Sequence, residues 1–130
     1  MQYPLDKIGH FKSARLASYL SDAPYPGKRL AAVIHKGKQI FALGINSFEK
    51  THTLQGGSVR QYLHAEIAAL LKRRYYDDLS SCSITVYRES HGKPALAKPC
   101  NQCQRIMKSM GIKKVYFSIA QEPYFNMLKL

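Results

Sequence analysis

Two short clusters of reactive side chains stand out in this sequence. The first is His64-Ala65-Glu66, and the second is Pro99-Cys100-Asn101-Gln102-Cys103. One imidazole and two thiolates form a donor set that suits zinc, and cysteines three residues apart on a helix share a face. Three protein donors leave a fourth position for water, which is typical of a catalytic zinc site. The pattern therefore predicts a Zn²⁺ site built from His64, Cys100 and Cys103.

Glu66 is a carboxylate that this donor set does not need. Zinc lowers the pKa of its water, and a neighbouring carboxylate can accept the proton and hand it on to a ring nitrogen and a leaving amine. Histidine and glutamate two residues apart diverge along a helix, so we expect the pocket to wrap around the first turn. Glu66 is the predicted catalytic acid and base.

Each cluster also has an ordinary interpretation. His64 and Glu66 alone are common helix residues, and Cys-x-x-Cys is equally a redox pair or half of a zinc knuckle. The sequence offers no second Cys/His pair to complete a four-ligand structural site. The third cysteine, Cys82, falls in a predicted strand and is expected to be a buried thiol.

The bulk composition indicates a small soluble domain. The 130 residues, 45% of them apolar, suffice for one packed domain over residues 1–130. No apolar run is long enough for a membrane helix, and the first residues lack the layout of a secretory signal. We therefore expect a cytoplasmic protein without a disulfide framework and without a membrane partner.

Charge is the strongest bulk feature. Twenty Lys and Arg residues face eight Asp and Glu residues, which gives a net charge of +12. This balance favours a phosphate-bearing ligand, so the expected partner is a nucleotide or a single-stranded nucleic acid. Basic residues with interleaved tyrosines lie on or between the motif segments, and those tyrosines could stack on bases or simply pack: Arg60, Lys72, Arg73, Arg74, Arg88, Lys93 and Lys98, with Tyr62, Tyr75, Tyr76 and Tyr87.

Hydrophobic periodicity places the motifs on two helices of an α/β fold. The predicted order is α-β-β-α-β-α-β, with an antiparallel hairpin first and parallel strands later, in a mixed sheet covered by helices on both faces. The first helix is expected to bury a stripe of Ile8, Phe11, Leu16 or Arg15, and Tyr19. The predicted segments begin with a helix over 8–20, strands over 30–34 and 39–43, and a loop over 47–59. A second helix follows the capping box Ser58-x-x-Gln61, and this helix is expected to bury Leu63, Ile67, Leu70 and Leu71. The remaining predicted segments are a strand over 83–87, a loop over 88–98, a helix from Pro99 to Gly111, and a strand over 115–119.

The two clusters together resemble the H-x-E…P-C-x-x-C signature of the cytidine and deoxycytidylate deaminase superfamily. His64-Ala-Glu-Ile-Ala-Ala-Leu70 and Pro99–Cys103 are similar to its two zinc motifs, and Gly44-Ile-Asn46 resembles the strand end before the first. The resemblance spans about Leu30 to Ile119 and implies the superfamily's three-layer fold.

The resemblance also implies roles for individual residues. His64, Cys100 and Cys103 would bind zinc, and Glu66 would shuttle protons. Ala65 would offer its backbone N–H to the base carbonyl, and Asn46 would contact sugar or base. Members usually have a fifth strand, but residues 120–130 contain Pro123 and their pattern does not predict one.

The paired motifs do not choose a substrate. The charge favours cytosine in a cytidine-type mononucleotide, followed by cytosine in single-stranded DNA or RNA, and then adenosine in RNA. Three interpretations from other classes stay open: a non-catalytic nucleic-acid-binding protein on a deaminase scaffold, a zinc-dependent folding module, and a thiol-redox enzyme.

Overall fold

The computed structural model describes residues 4–23, 28–47, 64–72 and 79–130. Most of the predicted loop over 47–59, the proposed capping box Ser58-x-x-Gln61 and the predicted burial of Leu63 lie outside the described residues. Within them, no helix has the length and apolar character needed to cross a membrane.

The described elements alternate between helices and strands. In chain order they are a short 3-10 helix (Pro4–Lys7), α1 (Phe11–Ser18), β1 (Leu30–Lys36), β2 (Gln39–Ile45), α2 (Ala65–Lys72), β3 (Ser83–Ser90), β4 (Lys93–Ala95), α3 (Asn101–Ser109), β5 (Lys114–Ser118) and β6 (Phe125–Lys129).

The strands form one mixed sheet in the order β2-β1-β3-β5-β6, with β4 paired to β3. β1 and β2 are an antiparallel hairpin, whereas β3 and β5 are parallel and flank the α3 crossover, as predicted. The positive φ of Gly37, +58°, supplies the left-handed turn that joins the hairpin.

Side-chain alternation along the strands creates a core on each face of the sheet. Ala32 and Ile34 of β1 belong to the larger core, which includes residues of α2 and α3. Ala31 and Val33 face the other way, into a smaller core with α1. This is the expected three-layer arrangement, and it places both motif helices on the same side of the sheet.

The buried face of α1 differs from the predicted stripe. The helix begins at Phe11 rather than Ile8, and it buries Phe11, Ala14, Ala17 and Ser18. Leu16 and Tyr19 are 51% and 39% exposed, so their assignment to the core was wrong. The small side chains of Ala14 and Ala17 allow this helix to pack close to the sheet. Leu71 of α2, 39% exposed, was also wrongly assigned to the core.

Two strands appear where the sequence pattern predicted none. β3 continues to Ser90 and turns back through His91 and Gly92 into β4, within the predicted loop over 88–98. The expectation against a strand in residues 120–130 was also wrong, because β6 pairs antiparallel with β5. Pro123 lies in the turn before β6, where its lack of a backbone N–H costs no ladder hydrogen bond.

Candidate metal centre

The position of α2 depends on Gly44 near the end of β2. A Cβ atom at Gly44 would lie 2.6 Å from the carbonyl oxygen of Ala65 and 2.7 Å from the carbonyl carbon of Ala68. Only glycine permits this approach of the α2 backbone to the strand. The beginning of α2, which carries the first motif, therefore rests directly on β2.

His64 stands immediately before α2, and the helix begins at Ala65. The carbonyl of His64 accepts the backbone N–H of Ala68 at 2.9 Å, which makes His64 the capping residue of the helix. Since His64 is outside the regular helix, the divergence expected for residues two apart on a helix does not apply. Glu66, in the first turn, is 4% exposed.

The second motif lies at the start of α3. The helix begins at Asn101, with Cys100 as an extended N-cap residue, so the placement of Pro99 as its first residue was wrong. The carbonyl of Pro99 accepts a hydrogen bond from the side-chain amide of Gln104 at 2.8 Å. This bond links the residue before Cys100 to the helix that follows. Cys103 is fully buried in that turn, and Cys100 is partly exposed.

The fold brings His64, Cys100 and Cys103 together although they lie up to 39 residues apart. Their ligand atoms all lie within 4.8 Å of one another. His64 Nδ1 lies 3.3 Å from Cys103 Sγ. Donors around a tetrahedral zinc ion stand about 3.5 Å apart, given bond lengths of about 2.0–2.3 Å. The cluster thus fits a small ion with little rearrangement.

The electrostatics of the cluster also suit a cation. Hydrogen bonds from Cys103 and His64 lower the pKa of the Cys100 thiol to about 3, against the opposing effect of burial. Thiolate is the form of cysteine that binds zinc. Two cysteines and one histidine that share so little space are therefore a suitable donor set for zinc.

Glu66 lies in the first turn of α2, two residues after His64, and its carboxyl group is buried. Burial is the main cause that raises the pKa of this carboxyl, and a hydrogen bond from its own backbone N–H and the proximity of His64 act in the opposite direction. A raised pKa favours the protonated form of a carboxyl group, which suits a residue that must both accept and donate a proton. Ala65, between the two residues, is 1% exposed.

The side chain of Asn46, which follows β2, forms hydrogen bonds to neighbouring segments of the chain. Its Oδ1 accepts hydrogen bonds from the backbone N–H of Leu30 at 2.9 Å and from Ser21 Oγ at 2.7 Å. Its Nδ2 donates to the carbonyl of Lys28 at 2.7 Å. Within the described residues these bonds leave one amide N–H of Asn46 available, and a contact between Asn46 and a sugar or base stays a prediction.

Ser118, at the end of β5, supports the segment that leads to Cys100, and sequence reasoning missed it. Its hydroxyl donates to the carbonyl of Ala95 at 2.6 Å and accepts the backbone N–H of Arg88 at 3.0 Å. Its carbonyl accepts the N–H of Ala97 at 2.9 Å. The available signal was a serine within the apolar strand Val115-Tyr-Phe-Ser-Ile119.

Among the tyrosines considered for base stacking, Tyr87 is in the described chain and is fully buried. It packs in the α1 core, and its hydroxyl donates to Glu89 at 2.8 Å. The stacking hypothesis was therefore wrong for Tyr87, whose side chain faces the sheet surface opposite the motif helices. Arg60, Arg73, Arg74, Tyr62, Tyr75 and Tyr76 lie outside the described residues. Cys82 is fully buried, as predicted.

Two deaminases of solved structure share this fold. A dCMP deaminase from the cyanophage S-TIM5, in complex with dCMP and dUMP, aligns with a TM-score of 0.65 and 23% identity over 92% of this chain and 85% of its own. A cytidine deaminase from Burkholderia pseudomallei gives a TM-score of 0.61 and 23% identity over 91% and 87%. No curated protein shows significant sequence similarity to this chain.

The family assignment rests on the sequence match. The model of the cytidine and deoxycytidylate deaminase zinc-binding region matches residues 7–119. This range includes both motifs and every strand up to β5. The chain belongs to the cytidine and deoxycytidylate deaminase family.

Proposed function

We propose that this protein is a zinc-dependent hydrolytic deaminase that converts cytosine to uracil in a cytidine-type nucleotide such as dCMP or CMP. The observation that carries the proposal is the meeting of His64, Cys100 and Cys103 within 4.8 Å, with the buried Glu66 close enough to interact electrostatically with His64 and Cys100. The family match and the net charge of +12 support a phosphate-bearing pyrimidine. The S-TIM5 dCMP deaminase with dCMP and dUMP is in line with it.

In this proposal the three donors hold the metal, which supplies Lewis acidity and lowers the pKa of bound water when present. Glu66 takes a proton from water as the oxygen adds to C4 of the base, and passes it to the ring nitrogen N3. It then takes the proton of the new C4 hydroxyl and delivers it to the amino group. The C4–N bond breaks as the C4 carbonyl forms, ammonia leaves, and uracil results. The backbone N–H of Ala65 donates to the base carbonyl, and Asn46 contacts sugar or base.

A second candidate is deamination of cytosine, or less favourably of adenosine, within single-stranded DNA or RNA. The charge of +12 favours it, because a polynucleotide presents many phosphates. A non-catalytic binding protein on this scaffold is disfavoured by Glu66, because pure binding does not require a carboxyl group there.

The test is a deamination screen of the purified, metal-loaded protein against cytosine, deoxycytidine, CMP, dCMP, dCTP and single-stranded DNA. We expect ammonia release and uracil formation with CMP or dCMP. Turnover of the DNA strand without turnover of any mononucleotide would select the second candidate. The absence of turnover with every substrate by zinc-containing protein would overturn the proposal.

A further inference from the structure

A long groove follows the outer side of α3. Two adjoining concavities of about 460 and 390 Å³ share Lys108, Lys129 and Leu130 as lining residues. One lies beyond the C-terminal end of α3, and the other runs along the helix to Asn101. Asn101 is the residue directly after Cys100. This α3 groove therefore runs from Asn101, at the beginning of the helix, to the segment beyond its C-terminal end.

Half of the described residues that line the α3 groove are basic, and none of them is Asp or Glu. Five basic residues border it: Arg105, Lys108, Lys113, Lys114 and Lys129. Among the described residues, none of the five forms an ion pair, in contrast to Arg15, which pairs with Asp6 at 2.8 Å. Their positive charges are uncompensated within the described part of the chain.

The sheet register brings two of these charges together. Lys114 of β5 and Lys129 of β6 are directly opposed partners in the antiparallel pair. Like charges in directly opposed positions destabilise a pair of strands. An anion bound beside them would relieve this repulsion. The register is thus an observation, independent of the cavities, that points to an anionic ligand.

We propose that the α3 groove binds the phosphate backbone of single-stranded nucleic acid. A second copy of this chain is disfavoured as the occupant, because each copy carries a charge of +12. The nine residues of α3 span about 13 Å at 1.5 Å per residue, so the groove is suited to a chain of phosphates rather than to a single phosphate. Backbone contacts of this kind require no particular base sequence.

The choice of a single strand rather than a duplex follows from where the groove leads. A strand in the groove would have one end at Asn101, the residue after Cys100, and the nearby functional side chains of Cys103 and Glu66 are buried. A base held in a duplex stack cannot enter such a recess. This step rests on the second candidate function, deamination of a base within a strand, whereas the binding of the phosphate backbone does not.

The experiment compares two triple variants that remove the same charge. Arg105→Gln/Lys108→Gln/Lys129→Gln alters the groove, and Lys12→Gln/Lys36→Gln/Lys38→Gln removes three exposed cations from α1 and the β1–β2 turn. Fluorescence anisotropy measures binding of a labelled 20-nucleotide single-stranded DNA over a range of salt concentrations. For the groove variant we expect about tenfold weaker binding and a slope of log affinity against log salt smaller by about 2, near 0.7 per lost contact. The control variant should keep the wild-type slope.

Equal losses in both variants, or an unchanged affinity of the groove variant, would overturn the proposal. Tighter binding of a mixed-sequence DNA duplex than of the strand would overturn the assignment to single strands. Turnover of dCMP is measured on the same preparations and should be the same in wild type and both variants. If the wild-type protein binds the strand through the groove but deaminates nothing, the proposed function fails while the binding proposal stands.

Discussion

At the scale of single residues, Glu66 carries the sharpest prediction. The three donors His64, Cys100 and Cys103 meet without it, so its buried carboxyl is available for proton transfer. We expect Glu66→Gln to lower turnover by roughly 10²- to 10⁴-fold, the usual contribution of general acid–base catalysis, and to leave zinc content unchanged. Ammonia release and metal analysis on one preparation measure both quantities.

Glu89→Gln is the matched control for that experiment. Glu89 is also a buried glutamate, but its carboxylate accepts hydrogen bonds from Tyr19 and Tyr87 on the α1 side of the sheet. Its loss should affect stability and leave the turnover number in place. A Glu66→Gln protein with near wild-type turnover would remove this residue from the mechanism.

The two proposed ligand cysteines should couple metal binding to stability. Cys100→Ala or Cys103→Ala removes one of three donors, so we expect loss of zinc and a lower melting temperature, because the metal binds the folded chain. Thermal melting with and without a chelator is the measurement. A chelator should lower the melting temperature of the wild-type protein and have little effect on either variant.

Cys82→Ala separates metal loss from the general effect of removing a buried thiol. Cys82 is fully buried but lies in the core, outside the metal cluster. This variant should melt earlier and still contain zinc. Full zinc occupancy in both Cys100→Ala and Cys103→Ala would contradict the ligand assignment.

At the scale of elements, the contact between β2 and α2 should be sensitive to a single added methyl group. Gly44→Ala would force a methyl group into backbone atoms of Ala65 and Ala68, so α2 would have to move and His64 with it. We expect a loss of roughly 3 kcal/mol or more in the free energy of unfolding, at the upper end for overpacked sites, together with weaker zinc binding. Urea denaturation and a zinc competition assay measure the two effects.

Gly37→Asn is the control, because Gly37 sits in an open turn with φ +58°, which asparagine tolerates. It should change stability by less than about 1 kcal/mol. Equal stability of the Gly44→Ala and wild-type proteins would show that α2 can retreat from the strand without cost.

The environment of His35, on the α1 side of β1, predicts how the free energy of unfolding depends on pH. Its Nε2 lies 2.8 Å from Thr85 Oγ1, and its ring centroid is 4.1 Å from that of His10. Burial, and then the charge of His10, lower the pKa of His35 to about 4. The unfolded chain therefore binds the proton first, so stability falls as pH decreases from about 6.5 and the loss is complete below about 4.

The measurement compares urea midpoints of wild type and His35→Gln between pH 7 and pH 4.5. The wild-type protein should lose on the order of 1–2 kcal/mol more than the variant over this range. His10→Gln should retain part of the wild-type loss, since burial of His35 persists. Parallel pH profiles of wild type and His35→Gln would contradict the assignment.

At the scale of the whole molecule, the net charge of +12 should limit stability at low ionic strength. Screening shortens the range of repulsion between exposed cations, so the free energy of unfolding in urea should rise with NaCl from about 0.02 M to about 0.5 M, by on the order of 1 kcal/mol. The Lys12→Gln/Lys36→Gln/Lys38→Gln protein carries three fewer charges and should show a smaller rise. A stability that falls with salt would contradict this explanation.

Much of the candidate metal centre was predictable from local sequence. Donor chemistry and spacing indicated His64, Glu66, Cys100 and Cys103 as candidates, and the fold brings the three proposed donors together. The β1–β2 hairpin follows from apolar runs around Gly37, and the parallel pairing of β3 with β5 follows from the helix between them. These features depend on residues close in sequence, whose preferences act before distant contacts form.

Other features depended on contacts between distant residues. The strand β6 is specified mainly by pairing with β5, and Pro123 in the preceding turn obscures its local pattern. The exposure of Leu16 and the burial of Tyr87 were decided by which face of the sheet α1 covers. The convergence of His64 with the two cysteines required the close approach at Gly44 and the support of Ser118. Local sequence determined which groups could do chemistry, and only tertiary packing placed them within reach of one another, because their separation along the chain is closed by the sheet rather than by any single helix.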